Sequence, residues 1–149
     1  MNKAFVREPD NDRARCPRCD APGVPVRQET LQAFLAPAAL QQLTETAFFC
    51  PFARCPVAYF DLFDRWVDQT ALQRPVYPKD PTAPLCGCFG LTLDDVEQDV
   101  REGGVIRVKA LLEKSQSPAA HCATASPTGQ CCMPEVQRCL IRLRAAAPP

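Results

Sequence analysis

Cys16-Pro17-Arg18-Cys19 is a compact Cys-x-x-Cys, and after 30 further residues Cys50 and Cys55 follow with four residues between them. Pro17, Pro51 and Pro56 each stand directly after one of these cysteines. A tight turn presents two thiolates together and leaves nearby backbone N–H groups free to donate to sulfur. Two such turns facing each other make a tetrahedral four-thiolate site, the usual geometry of structural zinc. A closed site of this kind keeps no open position for water, so it is structural rather than catalytic. Asp20, beside Cys19, is an alternative fourth ligand. A redox dithiol is the competing reading, but it needs the motif between a strand and a helix within a βαβ unit, and that context is missing around Cys16.

A second group has different spacing. Cys86-Gly87-Cys88 is a Cys-x-Cys; Cys122 follows after 33 residues, and the doublet Cys131-Cys132 lies eight or nine residues beyond. One intervening residue is short for a zinc turn. Four thiolates held by burial and by N–H donors to sulfur also describe an iron–sulfur site. Gly87 removes side-chain bulk between two ligands, while Phe89 and Leu91 supply apolar cover. His121 is the one histidine, so a Rieske centre, which takes two, is excluded within one chain. It reads as a donor to the site or a solvated residue. Cys139 shares a helical face with Val136 and reads as a small core residue.

The elements that must hold these groups are short. Sixteen prolines divide the 149 residues. Thr30 is expected to cap a helical turn carrying Leu31, Phe34 and Leu35, and Pro37 to start another carrying Leu40 and Leu43. Ala47-Phe48-Phe49 reads as a strand running into Cys50. Val57 to Phe63 reads as a second strand, its aromatics (Tyr59, Phe60, Phe63, with Trp66 nearby) in the core or paired across strands. Further on, Thr92 with Asp95 forms a capping-box pattern ahead of Leu93, Val96 and Val100, and Gly103-Gly104 ends that helix. Val105 to Lys114 reads as a second helix. Residues 118–129 read as a loop, and Pro134 opens a third helix with Val136, Leu140 and Leu143 on one face. The organisation predicted is a loose tail (1–12), a module with short strands (13–78), a Pro-rich linker (79–84), a helical module (85–144) and a short tail (145–149). The fold class is α+β.

Bulk composition narrows the function. Lys and Arg number 17, as do Asp and Glu, so the formal net charge is zero and nucleic-acid binding is not expected. Arg101, Arg107, Lys109 and Lys114 read as a solvated face. No apolar run approaches the roughly 20 residues of a membrane span, and residues 1–7 hold no apolar signal core. A cytoplasmic location is therefore expected, where thiols stay reduced and a disulfide scaffold is disfavoured. Modules of about 60 residues are marginal alone, and a structural zinc contributes about 10–16 kcal/mol of apparent binding energy to folding. No Ser/His/Asp constellation, phosphate-cradling loop or nucleotide fingerprint is present, so no organic substrate is expected.

Cys86-Gly87-Cys88-Phe89-Gly90-Leu91-Thr92, Gly103-Gly104, Cys122 and Gly129-Gln130-Cys131-Cys132 resemble the [2Fe-2S] module of the bacterioferritin-associated ferredoxin type. With the Cys16–Cys19 and Cys50–Cys55 segments, nearly the whole chain is similar to the N-terminal domain of CopZ-type copper chaperones. The resemblance implies zinc at Cys16, Cys19, Cys50 and Cys55. It implies a [2Fe-2S] cluster at Cys86, Cys88, Cys122 and one of the doublet. Cys132 is the choice, because the family places its ligand just before the Met133-Pro134-Glu135-Val136 type of segment; Cys131 is then an extra thiol able to take Cu(I) transiently. The implied work is one-electron transfer or copper handling, at most the reduction of Cu(II) to Cu(I), with a redox partner or a copper-handling protein as counterpart. Chaperones of this family carry a Met-x-Cys-x-x-Cys copper motif in a further domain, and the sequence contains no such motif. The competing reading is a non-redox adaptor with two structural zinc sites.

Overall fold

Short apolar runs between prolines permit only brief strands, and the computed structural model, which describes residues 14–147, bears this out. The segment 1–12, expected as a loose tail, lies outside the described residues. β1 (Val24–Val26), β2 (Ala47–Phe49), β3 (Val57–Asp61) and β4 (Trp66–Asp68) form an antiparallel sheet in the order β1-β2-β3-β4. The register sets Phe49 opposite both Val24 and Tyr59, and Phe60 opposite Trp66. All five residues of β3 are buried, because both faces of the sheet are covered. On one side, Leu31, Phe34 and Leu35 of the α1 region (Gln28–Phe34) pack with Phe49, Ala58 and Tyr59. On the other, Val57 and Phe60 pack against Cys16, Cys50 and Cys55. The first metal-ligand candidates are thus part of a core, and the sheet is two-sided despite its small size.

The remaining elements are a 3-10 turn (Gln69–Ala71) and the α-helices α2 (Pro37–Leu40), α3 (Leu93–Glu102), α4 (Ile106–Ser115), α5 (Cys122–Ala125) and α6 (Met133–Ala146). The class is α+β, as expected. Thr92 and Asp95 close a full capping box at the start of α3, and Gly103 ends it in the left-handed region at φ 77°. Val96, Val108, Leu111, Val136 and Leu140 make the second core, which also takes in Cys86, Cys132 and Cys139.

Several details differ from expectation. Arg27, not Thr30, flanks the start of α1, and Thr30 is buried inside that helix. Phe63 is 71% exposed, because Asp61 reverses the chain at the end of β3 and throws Leu62 and Phe63 outward. The short helix α5 lies within the stretch read as a loop. Residues 79–84 do not hang free: Lys79 and Ala83 are buried. α6 continues to Ala146, past the start of the expected tail at 145.

Two buried carboxylates organise the turns. Asp61 accepts from the backbone N–H groups of Thr44, Phe63 and Arg65 and pairs with the Arg65 guanidinium at 3.1 Å. Asp99 of α3 serves α4, whose own flanking residue, Val105, has no capping side chain. Its carboxylate accepts from the N–H groups of Arg107 and Val108 and pairs with the Arg107 guanidinium at 2.9 Å. Arg107 is therefore bound into the fold rather than part of a solvated scatter. Burial pushes the Asp99 carboxyl up, but the Val108 N–H and the Arg107 side chain outweigh it and hold the carboxyl below its ordinary range.

Asp99→Asn is expected to cost about 1–3 kcal/mol at neutral pH, measured as a shift in the denaturation midpoint. A depressed carboxyl contributes its stability above its unfolded value of about 3.9 and loses it as pH falls towards the folded value. The gap between the two proteins should therefore close on acidification below about pH 4.

Candidate metal centres

The first centre is built from two turns. Cys16 begins a loop closed by the Cys16 N–H to the Ala21 carbonyl (2.9 Å) and the Asp20 N–H to the Cys16 carbonyl (2.8 Å). Asp20 sits at its corner with φ 66°. The second turn joins β2 to β3: Cys50 donates to Ala58 across the hairpin at 3.0 Å, and Cys55 donates back to Phe52 at 3.1 Å. The two turns meet over β3. All four sulfurs of Cys16, Cys19, Cys50 and Cys55 lie within 4.8 Å of one another. A tetrahedral ion with metal–sulfur distances of about 2.3 Å has sulfur–sulfur edges of about 3.8 Å. Cys16 and Cys55 stand 3.8 Å apart, and Cys19 and Cys50 3.6 Å. The donor set and its spacing fit zinc. Asp20 does not join them; its side chain is exposed and faces Arg15 at 3.9 Å.

Burial pushes the Cys50 thiol up to about 12 and raises Cys55 as well. Burial also opposes ionisation of Cys19, but the Ala21 N–H and the neighbouring thiols outweigh it and lower that group. Three like-charged sulfurs beside a fourth are thus disfavoured unless a cation replaces their protons.

Part of that cation charge comes from a residue the sequence did not flag. Lys79 is only 8% exposed, and its ammonium donates to the carbonyls of Phe52 (2.7 Å) and Cys55 (3.0 Å). It therefore holds the second turn closed and favours the Cys50 thiolate electrostatically. No spacing rule points to it; a lone cation in a Pro-rich stretch reads as solvated.

The second set of thiols is arranged differently. Among the described residues, convergence within 4.8 Å is found for the first set and not for this one. Cys88 and Cys122 form one pair at 3.8 Å, and the Cys86 and Cys132 thiols are neighbours close enough to shift each other's acidity. The Cys86 turn folds on itself, with Gly90 donating to the Cys86 carbonyl at 2.8 Å. The Phe89 N–H donates to the Cys86 sulfur at 3.4 Å, and the His121 N–H to the Cys88 sulfur at 3.2 Å. It is the backbone of His121 that donates; its ring turns to the Ala119 carbonyl. The Cys132 thiol and the backbone N–H groups of Phe89, Cys88 and Gly90 bring Cys86 down to about 6, against the opposing effect of burial. Burial and the Cys88 sulfur push Cys122 up to about 11. Cys132 is buried at the start of α6, while Cys131 is exposed. Cys131 opens onto a groove of about 570 Å³ between the two halves, lined also by Phe49, Tyr77 and Arg138. Cys139 is buried in the helical core, 3.6 Å from the Tyr77 hydroxyl and 3.3 Å from the Arg142 guanidinium.

Gly87 has a specific reason. A Cβ there would stand 2.0 Å from the Ala125 carbonyl oxygen, so the Cys86–Cys88 turn lies directly on the end of α5, which begins with Cys122.

Removal of Lys79's charge should weaken the first centre without touching a sulfur. Lys79→Met is expected to lower zinc affinity by about 10–100-fold, the range for groups that support metal ligands. Competition with a chromogenic chelator measures it.

Residues 13–73 match a family model described as a zinc binding domain, zf_CopZ. A search of curated proteins finds no match. The X-ray structure of the Archaeoglobus fulgidus CopZ N-terminal domain is similar in fold, at 22% sequence identity and a TM-score of 0.69. The likeness covers 84% of this chain and 96% of that one, so it extends well past residue 73. No helix among the described residues is long and apolar enough to cross a membrane. The chain thus has the α+β fold of the CopZ N-terminal domain and carries a zinc-binding domain whose four cysteines converge on one point.

Proposed function

We propose that the chain is a cytoplasmic iron–sulfur and zinc protein that moves single electrons and handles metal ions, copper foremost. The division of labour follows modules 13–78 and 85–144. Zinc would sit at Cys16, Cys19, Cys50 and Cys55, and a [2Fe-2S] cluster at Cys86, Cys88, Cys122 and Cys132. The observation that carries the reading is the contrast between the two sets of thiols. The first converges as a single tetrahedral ion requires. The second falls into two pairs, Cys88 with Cys122 and Cys86 with Cys132, which suits two irons taking two thiolates each. This contrast favours a cluster over a second zinc. Fold likeness to a domain of a protein called CopZ supports metal handling.

When bound, such a cluster supplies a one-electron couple. The chain's own contribution is to hold the sulfurs as thiolates and shield them. N–H groups of Phe89 and His121 point at Cys86 and Cys88. Hydrogen bonds of this kind stabilise charge on sulfur and so tune the couple. Buried Leu91 and half-buried Phe89 keep water from one side. The exposed Cys131 offers a soft ligand beside the less exposed second set, suited to transient contact with Cu(I). The counterpart is a redox partner or a copper-handling protein.

Metal and acid-labile sulfide analysis of anaerobically purified protein tests this. About one zinc, two irons and two sulfides per chain are expected, with a red-brown colour and an EPR signal on reduction. A colourless protein with two zinc ions after cluster reconstitution overturns it. Cys132→Ser should abolish the visible absorption and Cys131→Ser should leave it; the reverse result moves the fourth ligand to Cys131.

A further inference from the structure

Three side chains of the first module end on the backbone of one short segment of the second. Thr30, buried in α1, donates to the Ala123 carbonyl at 2.5 Å. Tyr59, buried at the centre of β3, donates through its hydroxyl to the Pro127 carbonyl at 2.6 Å. Arg74, lying 4.2 Å over the Phe34 ring, donates to the Thr124 carbonyl at 2.5 Å. Gly129 closes the segment on the same residue: a Cβ there would meet the Thr30 hydroxyl oxygen at 2.5 Å. From the opposite side, Gly87 presses on the Ala125 carbonyl. Residues 122–129 are held between the first module and the Cys86–Cys88 turn.

This segment begins with Cys122. Its helix α5 is four residues long, far too short to persist without outside contacts. We propose that Thr30, Tyr59 and Arg74 are positioning residues for Cys122. The first module, folded around its own metal, is the template that sets Cys122 against Cys88. The inference rests on reading Cys122 as a ligand of the second centre. The two centres are then coupled: order in the first supports ligand geometry in the second, and by linkage a filled second centre stabilises the first.

Thr30→Val combined with Tyr59→Phe removes two of the three donors while keeping shape. Amide exchange is followed in the full chain loaded with zinc alone. The reporters are the N–H groups of Ala125, Ser126 and Gly129, which donate to the carbonyls of His121, Cys122 and Ser126. They should exchange about tenfold faster in the double variant, the size expected when buried carbonyls lose their donors. Zinc content and the exchange of α3 and α6 should not change. Thr30→Ser, which keeps the hydroxyl, should retain the original rates. In reconstituted protein the double variant should also release iron to a chelator faster than the unaltered chain. Unchanged exchange in the segment, or an equal rise throughout the chain, overturns the proposal. A chain that takes up zinc but no sulfide overturns the cluster reading instead, and the exchange arm still decides whether the clamp exists.

Discussion

Four sulfurs gathered within 4.8 Å over a buried strand cannot all be charged unless something positive lies among them. That constraint organises the first half of the chain. Cys50 follows β2 directly and Cys55 stands two residues before β3, so an ion at this point closes the hairpin that carries the central strand. Strands of three to five residues bury little surface on their own. The metal supplies what the strands lack. Once β3 is fixed, one of its faces carries the helical layer of α1 and the other carries the cysteine turns.

Backbone N–H groups serve both sets of sulfurs, those of Ala21, Phe52 and Val57 at the first and those of Phe89 and His121 at the second, but the first has a buried cation besides. Around the first, a buried ammonium, Lys79, contributes whole charge close to the second turn. Around the second, backbone N–H groups from Phe89 and His121 contribute partial charge, and no comparable side-chain cation hydrogen-bonds to Cys86 or Cys88 among the described residues.

What could be read from the sequence was local. The capping box at Thr92 and Asp95, the left-handed Gly103 and the proline opening α6 each depend on residues a few positions apart, and each stands where expected. The cysteine spacing anticipated the convergence of the first four sulfurs, because two short turns leave few ways to arrange four thiols. What could not be read was non-local. β1 and β4 are three residues long and exist through their partners. Thr30 resembles a helix cap, but its hydroxyl is committed to a carbonyl 93 positions away. Phe63 looks like core because its neighbours are apolar, yet the carboxylate of Asp61 turns the chain before it can be buried. Asp99 caps a helix other than its own. α5 has no periodicity to betray it, since one turn of helix shows none.

Lys79 also bears on where this protein can be divided. By composition the chain breaks at the proline cluster that follows residue 78, and a fragment ending there would keep every sulfur of the first centre. It would lose the ammonium that ties Phe52 and Cys55 together and the carbonyls to which Tyr59 and Thr30 donate. The apparent break in composition is therefore also a fastening, since a cut there removes contacts that the first half makes across it.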